Sequence, residues 1–322
     1  YLIKKLSVAP GKQVTLDSKG SNADIVLNIN KKADPVIGDE GYALSVTSSR
    51  ISISANKPAG LLYGVQTLLQ LLPPQIESDR PEPGIVWQIP QVEITDYPRV
   101  AWRGLMLDVA RHFFTVDEVK RYLDNMVKYK YNRFHWHLTD DEGWRIEIKS
   151  LPRLTEVGAW RQEQIGWFGG FSLPDPAAPK SYGGFYTQEE VKEIVRYAKE
   201  RNIEVMPEID VPGHSSAFLA AYPELACFPE SGEHAVRTGA PFMDWNTGGR
   251  PEALYENTLN PANEKVYQYL DKVMGEVAAL FPFEYIHTGG DEAPYTYWKK
   301  SPDVKRLMER EGIKDMAGVQ SY

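Results

Sequence analysis

RGLMLDVARHFFTVDEVKRYLDNMVKYKYNRFHWHLTDD, residues 103–141, contains one complete strand–helix–strand unit. Residues 103–108 form a short apolar run that ends in an acid, Asp108. Thr115 stands three residues before Glu118, the spacing of a capping box, and Val119, Tyr122, Leu123, Met126 and Val127 follow on one helical stripe. A second apolar run at 133–138 closes the unit and leads into Thr139-Asp140-Asp141. Strand, helix and strand in this order is the grammar of parallel βα units.

Downstream the same grammar continues. Thr187 and Glu190 repeat the capping device ahead of Val191, Ile194, Val195 and Ala198, and a third strand is predicted at 203–209. A helix carrying Val266, Leu270, Val273, Val277 and Leu280 then leads to a fourth strand at 283–287. Upstream the pattern changes to alternating stretches at 24–29, 42–46 and 50–54, which read as strands of a small sheet. Leu61, Leu62, Val65, Leu68, Leu69 and Leu72 share a helical face expected to lie across it. Residues 73–90, with Pro73, Pro74, Pro81, Pro83 and Pro90, read as a linker before a closing strand at 92–94.

The predicted fold class is α/β. A small α+β domain occupies residues 1–96, and the first four βα units of a (β/α)8 TIM barrel occupy 97–322. A closed barrel needs eight strands and typically about 250 residues, so the chain is expected to be cut short at its C-terminus. An open, doubly wound sheet is the structural alternative.

Composition narrows the partners. Acidic residues outnumber basic ones by 44 to 36, and the net charge of -8 opposes binding to nucleic acid or anionic lipid. The longest apolar run, 68–72, is interrupted by Gln70 and falls far short of the roughly 20 residues of a membrane span. Cys227 is the only cysteine, which excludes an internal disulfide and a cysteine-based zinc cluster. The N-terminus lacks a small-residue cleavage site, so secretion is not legible from it. Eight tryptophans and eighteen tyrosines suit a protein that handles apolar sugar faces, although each ring taken singly is more often core.

Ionisable residues gather where the four predicted strands end, the face that carries the active site in a barrel. They are Asp108 with Arg111-His112; Thr139-Asp140-Asp141; Glu208 and Asp210 with Gly213-His214; and His287 with Asp291-Glu292. A single acid after a strand commonly just caps the next helix, but four coincident clusters point to an enzyme. Gly289-Gly290 let the backbone approach a ligand, and the two acids after them can splay to different sides of it. An ionised Asp291 would favour the protonated form of Glu292, which could then act as a general acid on a glycosidic bond. Such chemistry also needs a group on the other face of the anomeric carbon, and a neighbouring Asp is awkwardly placed for that.

The runs 103–112, 134–141 (FHWHLTDD), 207–214 (PEIDVPGH) and 287–292 (HTGGDE) closely resemble the β-N-acetylhexosaminidases of glycoside hydrolase family 20. The resemblance covers residues 97 to about 298, and the segment before it looks like that family's accessory domain. It implies an exo-acting, retaining enzyme without a cofactor, in which the substrate's own 2-acetamido oxygen attacks the anomeric carbon and forms an oxazolinium ion. By motif match, Asp291 orients the acetamido group, Glu292 is the acid and base, Arg111 grips hydroxyls at the non-reducing end, and Asp140 and His214 tune Glu292. Asp108, Asp141, Glu208, Asp210 and His287 would support the barrel rim. The partner would be a glycan with a terminal N-acetylhexosamine, and the compartment periplasmic, extracellular or lysosomal. Pocket walls from the later strands would lie beyond Tyr322, so these residues alone are expected to be inactive and poorly stable.

Two rival readings stay open at the level of sequence. His135-Trp136-His137 is an H-x-H on a predicted strand, which with His214, His287 and Asp291 would suit a metal-dependent barrel hydrolase. A non-catalytic glycan-binding module could keep the same rim. The D-x-x-D-x-D-x-E strand of family 18 chitinases is not found. GlcNAc versus GalNAc preference, linkage and oligomeric state are not legible.

Overall fold

The computed structural model describes residues 1–17, 23–164, 175, 177–231, 234–245, 248 and 251–322. Its contacts divide into two compact units. One comprises Tyr1–Arg103 with Leu123–Asn132 and Glu200–Ile203; the other comprises Gly104–Tyr122, Arg133–Lys199 and Glu204–Tyr322.

The first unit contains α1 (Leu2–Val8), β1 (Ile25–Ile29), β2 (Tyr42–Val46), β3 (Ile51–Ala55), α2 (Pro58–Gln70) and β4 (Val92–Asp96). Its sheet has the order β1-β3-β2-β4; β1 and β3 run parallel, and β2 is antiparallel to both of its neighbours. Tyr42, Leu44 and Val46 alternate inward along β2 and join Ile53, Tyr63, Val65, Leu68 and Leu69 in one core. Two glycines bring α2 close to the sheet. A Cβ on Gly60 would overlap the carbonyl oxygen of Gly41, and one on Gly64 would press on Ile53 and the ring of Tyr42. Helix α1 was not legible in the sequence, because Leu2 and Leu6 are too few to define a stripe.

The second unit follows the predicted βα grammar. Its principal elements are β5 (Gly104–Asp108), α3 (Val116–Lys128), β6 (Arg133–His137), a hairpin of β7 (Thr139–Asp140) and β8 (Gly143–Trp144), and α4 (Arg153–Glu156). A ribbon of β9 (Trp160–Arg161) and β10 (Tyr182–Gly183), then α5 (Gln188–Lys199), β11 (Glu204–Glu208) and α6 (Ser216–Ala221) follow. The last part holds a ribbon of β12 (Met243–Asp244) and β13 (Glu252–Ala253), α7 (Glu264–Leu280), α8 (Thr296–Lys300), α9 (Pro302–Glu311) and α10 (Met316–Ser321). Both capping boxes form: the Thr115 and Thr187 N–H groups donate to Glu118 and Glu190 Oε2 at 2.7 and 2.8 Å. No helix among the described residues is long and apolar enough to cross a membrane.

Strands β5, β6 and β11 form a parallel sheet in the order β11-β6-β5. On β6, Phe134 and Trp136 are buried on one face and pack ring to ring 5.7 Å apart. Alternation turns His135 and His137 to the other face. The register pairs Asp108 with His137, His137 with Glu208 and Glu208 with His287, so one polar row crosses the strand ends.

The fourth strand expected at 283–287 does not form; His287 makes an isolated parallel bridge to Glu208. Its N–H donates to the Pro207 carbonyl at 2.9 Å, and the Ile209 N–H donates to its own carbonyl at 3.0 Å. In this register the next rung would need an N–H on residue 207 to reach Tyr285. Proline has none, so the ladder cannot extend backward.

Gly60→Ala is expected to destabilise the protein by about 1–3 kcal/mol through overpacking. Gly275, exposed on α7 with open space around its Cα, serves as the control. Gly275→Ala is expected to be neutral or stabilising by up to about 1 kcal/mol, and denaturant unfolding of both variants checks the contrast.

Candidate active site

The hairpin β7–β8 folds Asp140 back beneath the end of β6, where it is almost completely buried. Its Oδ2 lies 2.6 Å from Arg111 Nη1 and 3.0 Å from His137 Nε2, and its Oδ1 lies 3.2 Å from His214 Nδ1. The Asp141 N–H also donates to Oδ1 at 2.6 Å. Burial favours the protonated acid, but His137, His214 and Arg111 outweigh it and hold the carboxyl well below the usual carboxylate range.

Arg111 sits three residues past Asp108, whose Oδ1 accepts the N–H groups of Ala110 and Arg111 at 2.9 and 3.1 Å. Asp108 Oδ2 meets Arg111 Nη1 at 3.0 Å, and Glu142 Oε2 lies 3.5 Å from Nε. Burial, with Asp140 and Asp141 nearby, pushes the Glu142 carboxyl well above its ordinary value. Arg111 beside it acts in the opposite direction, favouring the ionised form. The Arg111 side chain keeps 27% exposure, which leaves donors open to a ligand.

Arg145, which the sequence reading did not single out, fixes this loop. Fully buried, it donates Nε to Val109 O, Nη2 to Ala110 O and Glu142 O, and Nη1 to Ala159 O and Gly184 O, at 2.6–3.2 Å. All five of its N–H groups thus end on main-chain carbonyls of the segments around Arg111. Nothing in the sequence around Trp144-Arg145-Ile146 marks this arginine as buried.

His214 is held from behind by Asp140 and by Asp141, whose Oδ2 lies 3.6 Å from Nδ1. Asp141 is itself fixed by the Ser216 N–H at 2.9 Å and by Asn257 Nδ2 at 3.0 Å. Burial opposes charge on the ring, but the two carboxylates prevail and raise the His214 pKa to about 12. The forward nitrogen, Nε2, is buried and reaches Glu292 Oε2 at 3.3 Å and Asp291 Oδ2 at 3.9 Å.

The segment bearing those acids is a left-handed turn. Gly289, Gly290 and Glu292 have φ of 61°, 96° and 45°, and His214 shares the conformation at 49°. For a residue with a Cβ this costs about 1–2 kcal/mol, so the surroundings must impose it. Asp210 does so in part: its Oδ1 accepts the Gly290 N–H at 3.0 Å, and a Cβ on Gly289 would overlap its carboxylate. The Val211 N–H donates to Thr288 O at 3.0 Å, and Gln320 Nε2 donates to Gly290 O at 3.0 Å. Asp291 and Glu292 project from this brace with side chains 66% and 44% exposed.

Glu208 organises the histidines of the polar row. His135 Nε2 and His137 Nδ1 lie 2.6 and 2.7 Å from its Oε2, and His287 Nδ1 lies 3.1 Å from its Oε1. His135, Glu208 and His287 place ligand atoms within 4.8 Å of one another, and so do Asp210, His214 and Asp291; either set could hold a divalent cation. The H-x-H histidines thus converge on Glu208 and not on Asp291, which separates them from the exposed acid pair. The structure brings together Arg111, Asp140, His214, Asp291 and Glu292, joined through Asp140 and His214.

Burial raises the Asp210 pKa from 3.8 to about 7. A folded value above the unfolded one gives stability that is present below pH 3.8 and is lost as pH rises through about 7. Asp210→Asn stays neutral and can still accept from Gly290. Its stability relative to wild type is expected to improve as pH rises from about 4 to about 8, and an unchanged difference in unfolding free energy would contradict this.

Residues 100–322 match the family described as "Glycosyl hydrolase family 20, catalytic domain", and residues 1–97 match "Glycosyl hydrolase family 20, domain 2". The chain is 44% identical over 284 residues to a beta-hexosaminidase of Porphyromonas gingivalis, covering 88% of this chain and 33% of that protein. It is 43% identical over 301 residues to a beta-hexosaminidase of Vibrio furnissii, covering 94% and 44%. It resembles the solved N-acetyl-beta-hexosaminidase of Streptomyces plicatus at 42% identity and a TM-score of 0.76, over 96% of this chain and 55% of that one. The chain therefore spans between a third and a half of the length of these curated relatives. Two family matches that together take in both compact units, with relatives this similar, show that the chain belongs to glycosyl hydrolase family 20.

Proposed function

We propose that this protein is an exo-acting, retaining β-N-acetylhexosaminidase that removes terminal β-linked GlcNAc or GalNAc by substrate-assisted catalysis. We read residues 1–96 as the accessory domain and 97–322 as the first part of the (β/α)8 barrel, with β5, β6, β11 and the His287 bridge at the first four strand positions. The observation that carries the proposal is the line Asp140–His214–Glu292, with Arg111 on the same Asp140 carboxylate.

In this reading the acetamido carbonyl oxygen attacks the anomeric carbon as the bond to the leaving oxygen breaks. Glu292 donates its proton to that oxygen. The carboxylate it becomes faces the charged His214 ring at 3.3 Å, an attraction that grows as the proton leaves. Asp291 accepts the acetamido N–H and balances positive charge on the oxazolinium ring. Glu292 then takes a proton from water as it attacks the anomeric carbon, and the β configuration is restored. Attack from within the substrate draws on effective molarities of roughly 10⁵ M or more, which offsets the lack of an enzymic nucleophile. Arg111, held by Asp108 and Asp140, offers its remaining donors to hydroxyls of the non-reducing sugar. The names of the relatives support the same substrate class.

The full-length protein is expected to release p-nitrophenol from the N-acetyl-β-glucosaminide and not from the plain β-glucoside. Glu292→Gln is expected to lower kcat on the former by about 10²-fold or more. Equal cleavage of both sugars would exclude the acetamido group as nucleophile. Cleavage of neither would favour a glycan-binding module.

A further inference from the structure

A pocket of about 710 Å³ opens beside Glu292, walled by Trp245, Glu252, Tyr295, Lys299 and Lys300. Its walls are tied together. The Ala253 N–H on β13 donates to Thr296 Oγ1 on α8 at 2.9 Å, and the Leu254 N–H donates to Phe242 O at 2.9 Å, which fixes the ribbon leading to Trp245. Tyr295 OH donates to Gln320 Oε1 at 2.9 Å, and Gln320 in turn holds the Gly290 carbonyl. Glu292 lines this space and Asp291 does not. A general acid sits beside the oxygen it protonates, so the group attached to that oxygen occupies the space the acid lines. That group is the leaving sugar.

Two features describe the sugar. Trp245 is 61% exposed, a large ring open for stacking on the apolar face of a pyranose. Lys299 and Lys300 stand on the last turn of α8, and no carboxylate among the described residues lies within ion-pair distance of either ammonium. Both residues line the pocket, with the Lys300 ammonium 5.5 Å from the centroid of the Tyr297 ring, in a chain whose net charge is -8. Among the described residues that line the pocket, Glu252 is the one carboxylate besides the acid Glu292, against these two lysines. We propose that this pocket is the leaving-group subsite and that Lys299 and Lys300 select a leaving sugar that carries an anionic group, a carboxylate or a sulfate.

The inference rests on the hexosaminidase reading, and its test separates the two. The full-length protein is assayed on matched disaccharides: GlcNAc β-1,4-linked to glucuronate against glucose, and chitobiose with and without a 6-sulfate on its reducing sugar. p-Nitrophenyl N-acetyl-β-glucosaminide serves as the reference. An acidic-to-neutral ratio of kcat/KM of about five or more is expected in at least one pair, the equivalent of one partly exposed ion pair, and that pair names the anion. In Lys299→Gln/Lys300→Gln the ratio is expected to fall to about one. Cleavage of the nitrophenyl sugar with ratios near one in wild type would overturn the charge selection. A raised ratio that persists in the double variant would overturn the role of the lysines. Failure on the nitrophenyl sugar itself would remove the hexosaminidase reading and the subsite with it.

Discussion

One buried carboxylate holds the site together. Asp140 takes Arg111 and His137 on one oxygen and His214 on the other, so the arm that reaches for substrate and the ring that faces the acid share an anchor. Removing one partner of a buried ion pair commonly costs about 3–5 kcal/mol, and here Arg111, His137 and His214 would each lose a shared partner and keep Asp108, Glu208 and Asp141 respectively. His137 is fixed on its far side by Glu208, which also gathers His135 and His287. The polar row across β5, β6 and β11 is therefore the foundation on which Asp140 rests.

The loops above the row are fixed by other means. Arg145 ties five main-chain carbonyls and holds the path of the chain through Val109 and Ala110 into Arg111. Burial lowers its pKa to about 10, and it stays charged at neutral pH because carbonyl dipoles surround it. His214 and Glu292 both accept left-handed backbone, and the turn before Glu292 is braced by Asp210 and by hydrogen bonds from Val211 and Gln320. Strain of this kind at the two residues nearest the chemistry fits a site that is set before substrate arrives.

Much of this was legible in the amino-acid order wherever the signal was local. The Thr115–Glu118 and Thr187–Glu190 spacings located two helix starts within a residue, and the acids after each apolar run lie where the strands end. Other features depend on partners distant in sequence. The absence of a strand at 283–287 follows from Pro207, which matters only once the register with His287 is known. Arg145 carries no local cue to its burial, and its five carbonyls come from four separate segments. Asn257 shows nothing in sequence of its bond to Asp141, 116 residues away. That Asp140 serves both Arg111 and His214 is likewise a fact of three dimensions.

The direct test of Asp140 as the shared anchor is a double-mutant cycle with His214, read as kcat/KM of the full-length protein on the p-nitrophenyl N-acetyl-β-glucosaminide. Asp140→Asn, His214→Asn and the double variant are compared after folding has been confirmed. If the two residues act on Glu292 as one unit, the double variant loses about as much as the worse single variant. If their losses multiply, the two act separately and the account of the site built on Asp140 is wrong.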